Sequence, residues 1–223
     1  MPVNKRIRTE IKRPDPSLVK AFQNIPVANI ADCMNRMSCL DSYMIPVNSA
    51  PLLGVAFTVK TTGGDNLFVH KALDMAAPGD VIVVADGGDN RATLGEIIVS
   101  YAKSRGLSGF VIDGCIRDRD AIRKMDVPVY CRGFTPNGPY KNGPGEINYP
   151  VSCAGQVIFP GDILVGDGDG VVVIRPDEAG PILQQALAVV EKEKKMLDDI
   201  LAGRPTDRTW VDKRLEELNV SFE

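Results

Sequence analysis

The chain carries a single histidine, His70, and that scarcity excludes a good deal. A His-rich zinc site cannot be assembled, and a Ser-His-Asp triad would rest wholly on this residue. His70 falls on a predicted helix, where a structural or surface role is the plain expectation. No run of about 18 apolar residues occurs, so no segment is expected to span a bilayer. Met1 to Arg13 is basic and lacks an apolar core of signal-peptide length, which predicts a cytoplasmic protein without a membrane partner. Excess positive charge is missing as well. A net charge of -3 and a pI of about 5.3 leave no broad electrostatic footprint for nucleic acid. Cys33, Cys39, Cys115, Cys131 and Cys153 are odd in number and contain no C-x-x-C pair. Reduced, mostly buried thiols are expected rather than a disulfide or zinc framework. Gly87-Gly88 follows a strand but does not form G-x-G-x-x-G, so a dinucleotide or methyl-donor fold has little support.

What is present describes a globular enzyme-sized chain. Over 223 residues, 44% are hydrophobic and 25% charged, enough to bury a substantial core. The first fifty residues read as helical, broken at Pro14, Pro16 and Pro26. Strands are expected over 53–60, 81–85, 109–113 and 127–131, with helices over 66–76, 94–103 and 118–125 between them. Alternating strands and helices at this spacing signal an α/β layer with parallel pairing. Residues 133–150 are rich in Gly, Pro and Asn and read as a long loop. Short strands follow over 156–159, 162–165 and 170–174, and Gly166 to Gly170 reads as a turn rather than a calcium loop. A long helix begins at Pro176 and closes at Gly203, its distal half strongly charged. One domain over 1–203 with a tail over 204–223 is the expected organisation, Trp210 serving as a packing anchor.

Two segments carry candidate chemistry, both just beyond the carboxyl end of a buried strand, where open α/β sheets bind ligands. In the first, Asp86 to Glu96, Thr93 and Glu96 have capping-box spacing, which places the helix start at Leu94 and leaves the amides of Gly95, Glu96 and Ile97 unpaired. Free amides at a helix N-terminus suit a carboxylate or phosphate; the alternative is that Glu96 completes its own cap. In the second, Asp113 to Asp118, Arg117 offers a forked donor for a carboxylate and Asp118 a hard oxygen for a divalent cation. The alternative there makes Asp118 the N-cap of the next helix and Arg117 part of a surface pair.

Val84-Ala-Asp-Gly-Gly88, Ala92-x-Leu-Gly-Glu96, Gly109-x-Val-Ile-Asp-Gly114 and Ile116-Arg-Asp118 together resemble the RraA-like family, as do Phe159-Pro-Gly-Asp162 and Asp167-x-Asp-Gly-Val-Val172. That family includes 4-hydroxy-4-methyl-2-oxoglutarate and 4-carboxy-4-hydroxy-2-oxoadipate aldolases. The resemblance runs from about Ile25 to Gly203 and implies an α-β-β-α sandwich with a long C-terminal helix. It also implies a homo-oligomer, trimer or hexamer, with active sites between subunits. Carried over by position, the backbone of Gly95, Glu96, Ile97 and Ile98 binds the pyruvyl carboxylate. Arg117 holds the substrate, Asp118 holds Mg2+ or Mn2+, and Glu96 contacts the metal's water. Glu193 of the neighbouring subunit's C-terminal helix, or less favourably Glu191, completes that shell. The implied activity is metal-dependent cleavage of a 4-hydroxy-2-oxo diacid to pyruvate through an enolate, with oxaloacetate decarboxylation as a side activity. Loop 133–150 is expected to shape substrate choice. The family's non-enzymatic inhibitor of ribonuclease E, the alternative, has the aspartate of the Arg-Asp pair replaced and lacks the C-terminal helix; this chain has both Asp118 and the sequence of a long C-terminal helix. A methyltransferase label carried by some relatives finds no support in these residues.

Overall fold

The computed structural model describes residues 4–88 and 90–221. Its elements, in chain order, are strand β1 (Lys5–Ile7), helices α1 (Pro16–Lys20) and α2 (Val27–Cys33), and strands β2 (Ile45–Pro46) and β3 (Leu52–Thr61). Helix α3 (Leu67–Met75), strands β4 (Asp80–Ala85) and β5 (Ala92–Leu94), and helix α4 (Glu96–Ser104) follow. Next come β6 (Gly109–Ile116), α5 (Arg119–Ile122), β7 (Val129–Phe134), β8 (Gly145–Ile147), β9 (Val151–Cys153) and β10 (Gln156–Ile158). Strands β11 (Ile163–Asp167) and β12 (Gly170–Ile174) and helices α6 (Ala179–Leu201) and α7 (Thr209–Glu217) complete the chain.

The sheet runs β1-β8-β3-β4-β6-β7-β2, with β3, β4, β6 and β7 parallel at its centre. Strand β3 is long enough to serve three neighbours. Leu52–Val55 pair with β11, Val59–Thr61 pair with β8, and the other edge pairs with β4. Alternation along β4 splits the core between two faces. Ile82 and Val84 join Val69, Leu73, Val99 and Ala102 of α3 and α4 on one side. Val81 and Val83 join Cys153, Ile158, Leu164 and Val171 on the other. Burying one such side chain is worth roughly 1.5–3 kcal/mol, so β-branched runs covered on both faces dominate the fold. With α2 against β11 and β12, the layers are α, β, β, α, as the family resemblance implied.

Helix α4 ends in a Schellman motif. Gly106 at φ +71 lets its N–H reach the Lys103 carbonyl at 3.0 Å, and Leu107 N–H reaches Ala102 at 3.1 Å. Some expectations are corrected. The first fifty residues are not mainly helical; β1 is a strand because Arg6 Nε reaches the buried Glu146 at 2.6 Å and the backbone pairs with β8. Residues 133–150 are not all loop, since Gly145–Ile147 form β8 between β1 and β3. The third helix spans only Arg119–Ile122, and the long helix starts at Ala179. The tail contains α7, and Trp210 is 67% exposed rather than packed as an anchor. All five cysteines are free thiols, Cys131 and Cys153 buried and the others half-buried. No helix among the described residues is long and apolar enough to cross a membrane. The chain divides into two compact units, residues 1–186 and 187–223.

Candidate functional site

Strand pairing brings the two candidate segments together. Short β5 pairs with the end of β6, matching Ala92 with Cys115 and Leu94 with Ile116. The Arg117 N–H then reaches the Leu94 carbonyl at 3.0 Å. Gly95 and the Arg117-Asp118 pair therefore leave adjacent parallel strands side by side. Behind them Asp86 is fully buried, accepting from Thr93 Oγ1 at 2.7 Å and from the Gly88 amide at 2.7 Å. Gly114 must lack a side chain, because a Cβ there would run into the Asp86 carboxylate.

This geometry corrects the capping-box expectation. The Thr93 hydroxyl goes to Asp86 instead of capping a helix, Ala92–Leu94 is a strand, and α4 begins at Glu96 with Gly95 as N-cap. The Ile98 amide donates to the Gly95 carbonyl at 3.1 Å, and the Glu96 amide donates to Asp118 Oδ2 at 3.0 Å. Among the described residues, the Ile97 amide has no acceptor. Asp118 does occupy the N-cap position of α5, but its side chain makes no capping bond there. Held left-handed at φ 58, ψ 36, it turns toward α4 instead. Arg117 Nε lies 3.8 Å from Asp118 Oδ2, both side chains being about half-exposed. A Cβ on Gly95 would collide with Asp118 Oδ2 and stand 3.0 Å from Arg117 Cγ, so glycine permits the approach of these groups.

A cavity of about 310 Å3 opens here, floored by Leu94, Gly95, Ile97, Ile98, Arg117 and Asp118. Its remaining walls are Asn66 and His70 from the α3 side and Gly138, Pro139 and Lys141 from the segment before β8. Sequence reasoning missed Asn66 and Lys141. Asn66 is buried and donates Nδ2 to the Thr93 carbonyl at 3.0 Å, while its Oδ1 is buried without a partner. Since a carbonyl can only accept, the amide nitrogen must face Thr93 and Oδ1 must face elsewhere. A buried polar atom left unsatisfied is unfavourable by about 1–3 kcal/mol. His70, expected to be structural or at the surface, lies on α3 and also lines this cavity. Partial burial, and then the nearby Lys141 ammonium, hold its pKa below the ordinary imidazole value.

Glu96 is exposed and contributes its amide; its side chain is not part of the cavity wall. Glu191 and Glu193 are exposed on the part of α6 belonging to the second unit. No group of three or more His, Cys, Asp or Glu among the described residues is arranged to hold a metal. Asp118 nevertheless fits a hard cation: a carboxylate facing the cavity, beside a glycine whose missing Cβ leaves room. Magnesium keeps most of its waters and needs only one or two protein carboxylates.

The sequence profile of the Aldolase/RraA family matches residues 27–173. A protein of Halalkalibacterium halodurans, provisionally named a 4-hydroxy-4-methyl-2-oxoglutarate aldolase, is 42% identical over 183 residues, covering 81% of this chain and 84% of that protein. The crystal structure of Streptomyces coelicolor RraAS2, described as an unusual member of the RNase ES inhibitor RraA protein family, superposes with a TM-score of 0.76 at 28% identity, covering 84% of this chain and 98% of that one. A Pseudomonas syringae protein of unassigned function has the same fold, with a TM-score of 0.78 at 24% identity over 87% of this chain and 97% of that one.

Proposed function

We propose, from the premise that this chain belongs to the Aldolase/RraA family, that it is a divalent-metal-dependent aldolase cleaving a 4-hydroxy-2-oxo diacid to pyruvate. The observation that carries this is the convergence of Arg117, Asp118 and the Gly95 backbone on a cavity that Asn66, His70 and Lys141 close from the other side. The name of the Halalkalibacterium relative supports the same activity.

Arg117 and the free Ile97 amide hold the substrate's C1 carboxylate, a forked cation and a helix N-terminal donor being suited to that group. Lys141, with neutral His70 beside it, receives the second carboxylate. As the C3–C4 bond breaks, its electron pair moves onto the 2-oxo group as an enolate and the C4 oxygen becomes a carbonyl. Water oriented by Glu96, and by Glu193 of a neighbouring subunit, takes the proton leaving the C4 hydroxyl, and a proton returns to C3 of the enolate to give pyruvate. Arg117 stabilises the charge that develops at the enolate end. A magnesium or manganese ion held by Asp118 supplies further positive charge beside that oxygen when bound. The same enolate arises when oxaloacetate loses carbon dioxide, so decarboxylation accompanies the aldolase activity.

A homo-oligomer, trimer or hexamer, is part of the proposal. Ile97 at the cavity is 81% exposed and Tyr101, one turn along α4, is also exposed, an apolar face suited to a second copy. Pyruvate release from 4-hydroxy-4-methyl-2-oxoglutarate and from oxaloacetate, with magnesium and then with excess chelator, tests the activity. Metal-dependent release is the expected result. A folded protein that releases pyruvate from neither substrate would instead favour a non-catalytic regulator of a ribonuclease or helicase.

A further inference from the structure

We propose that Asp65 is the positioning residue for the far wall of the cavity, and through it for selection of a substrate bearing a second carboxylate; this rests on the aldolase activity proposed above. Asp65 is 2% exposed, and the hydrogen bonds to its carboxylate all come from backbone amides. Oδ1 accepts from Leu67 N–H at 2.9 Å, at the first turn of α3. Oδ2 accepts from Asn142 N–H at 2.6 Å and from Gly143 N–H at 3.0 Å. One carboxylate thus joins the start of α3, which carries Asn66 and His70, to the segment that carries Gly138, Pro139 and Lys141. The backbone reinforces the join: Asn66 N–H reaches the Tyr140 carbonyl at 3.0 Å and Tyr140 N–H reaches Gly64 at 2.8 Å. The Asp65 carbonyl is held in turn by Thr61 Oγ1 at 2.9 Å.

An ionised carboxylate is unfavourable in the interior unless hydrogen bonds replace its water, and three amides do so here. Its position is therefore dictated by both segments at once, and theirs by it. Lys141 immediately precedes the two amides that Oδ2 holds, so its reach into the cavity follows from this clamp. The Arg117-Asp118 end is built separately, on β5, β6 and α4. Asp65 therefore acts on substrate selection without touching the reacting atoms.

The test is Asp65→Asn, whose amide accepts on one side only and presents N–H against N–H on the other. Three readouts are compared: deuterium exchange at the methyl group of pyruvate, cleavage of 4-hydroxy-4-methyl-2-oxoglutarate, and cleavage of 4-hydroxy-2-oxopentanoate, which lacks the second carboxylate. Expected for D65N is a fall of about 10–100-fold in kcat/KM for the diacid, mainly through KM, with less than about 3-fold change in the other two. In a double-mutant cycle, D65N adds little to Lys141→Met, because both act through one subsite. A parallel loss in all three readouts, no loss for the diacid, or fully multiplicative effects in the cycle would overturn the assignment. If the wild-type protein neither exchanges nor cleaves, the aldolase proposal fails by itself. The clamp is then read by amide hydrogen exchange: D65N must accelerate residues 138–144 by about 10-fold while α4 is unchanged, and equal rates in this segment would overturn it.

Discussion

The Glu96 amide donates to Asp118 Oδ2 at 3.0 Å, across a separation of 22 residues in sequence. This bond aligns the first residue of α4 with the residue that introduces α5. It also holds the Asp118 side chain away from the capping role its sequence position suggests. The carboxylate is thereby fixed on the cavity with its remaining oxygen lone pairs available.

Replacing Asp118 separates that structural bond from the metal role. Asp118→Asn keeps an oxygen acceptor for the Glu96 amide, so the variant is expected to melt close to wild type. Its metal-dependent pyruvate release should fall by about 1,000-fold, and Asp118→Ala should abolish it. A thermal shift with magnesium plus oxalate should vanish in both variants. Substantial metal-dependent turnover in Asp118→Ala would sink the metal assignment.

Gly95→Ala tests the close approach directly. Gly95 has φ -149, which alanine adopts freely, so any effect is steric rather than conformational. The added methyl meets Asp118 Oδ2 and Arg117 Cγ. Displacing them should lower activity by about 100-fold and stability by about 1–3 kcal/mol. The measurements are steady-state kinetics and denaturant unfolding; unaltered activity would mean that Asp118 is not needed where it stands.

Because His70 is the sole histidine, its imidazole proton resonance can be followed without assignment. Partial burial and then Lys141 depress its pKa, so it is expected to titrate below the ordinary value of about 6.5. The folded protein then binds fewer protons at this site than the unfolded chain. Stability should fall as pH drops through the ordinary imidazole range and level off below the depressed value. Lys141→Met removes one cause and should move the titration upward. An unchanged midpoint in that variant would place Lys141 too far from His70 to share a subsite.

The central strands and helices were legible in the sequence because their signal is local. The β-branched runs at 53–60, 81–85 and 109–113 cannot avoid burial on both faces, and α3 and α4 keep helical spacing between them. Arg117, Asp118 and Gly95 were legible as candidates because a strand end followed by such residues is where an α/β sheet presents ligands. Thr93 was misread, since capping-box spacing is equally local and a fully buried Asp86 claimed the hydroxyl. Strands β1, β5, β8 and β9 are each three residues long, too short to carry a period, and pairing alone makes them strands. Sequence by itself determined the family, through it the layers, and the candidates Gly95, Arg117 and Asp118 that line one end of the cavity. Only the tertiary structure decided which residues close the other end. Asn66 and Lys141 meet through hydrogen bonds between Asp65 and amides 77 and 78 residues away, and contacts at that separation leave no periodicity to read.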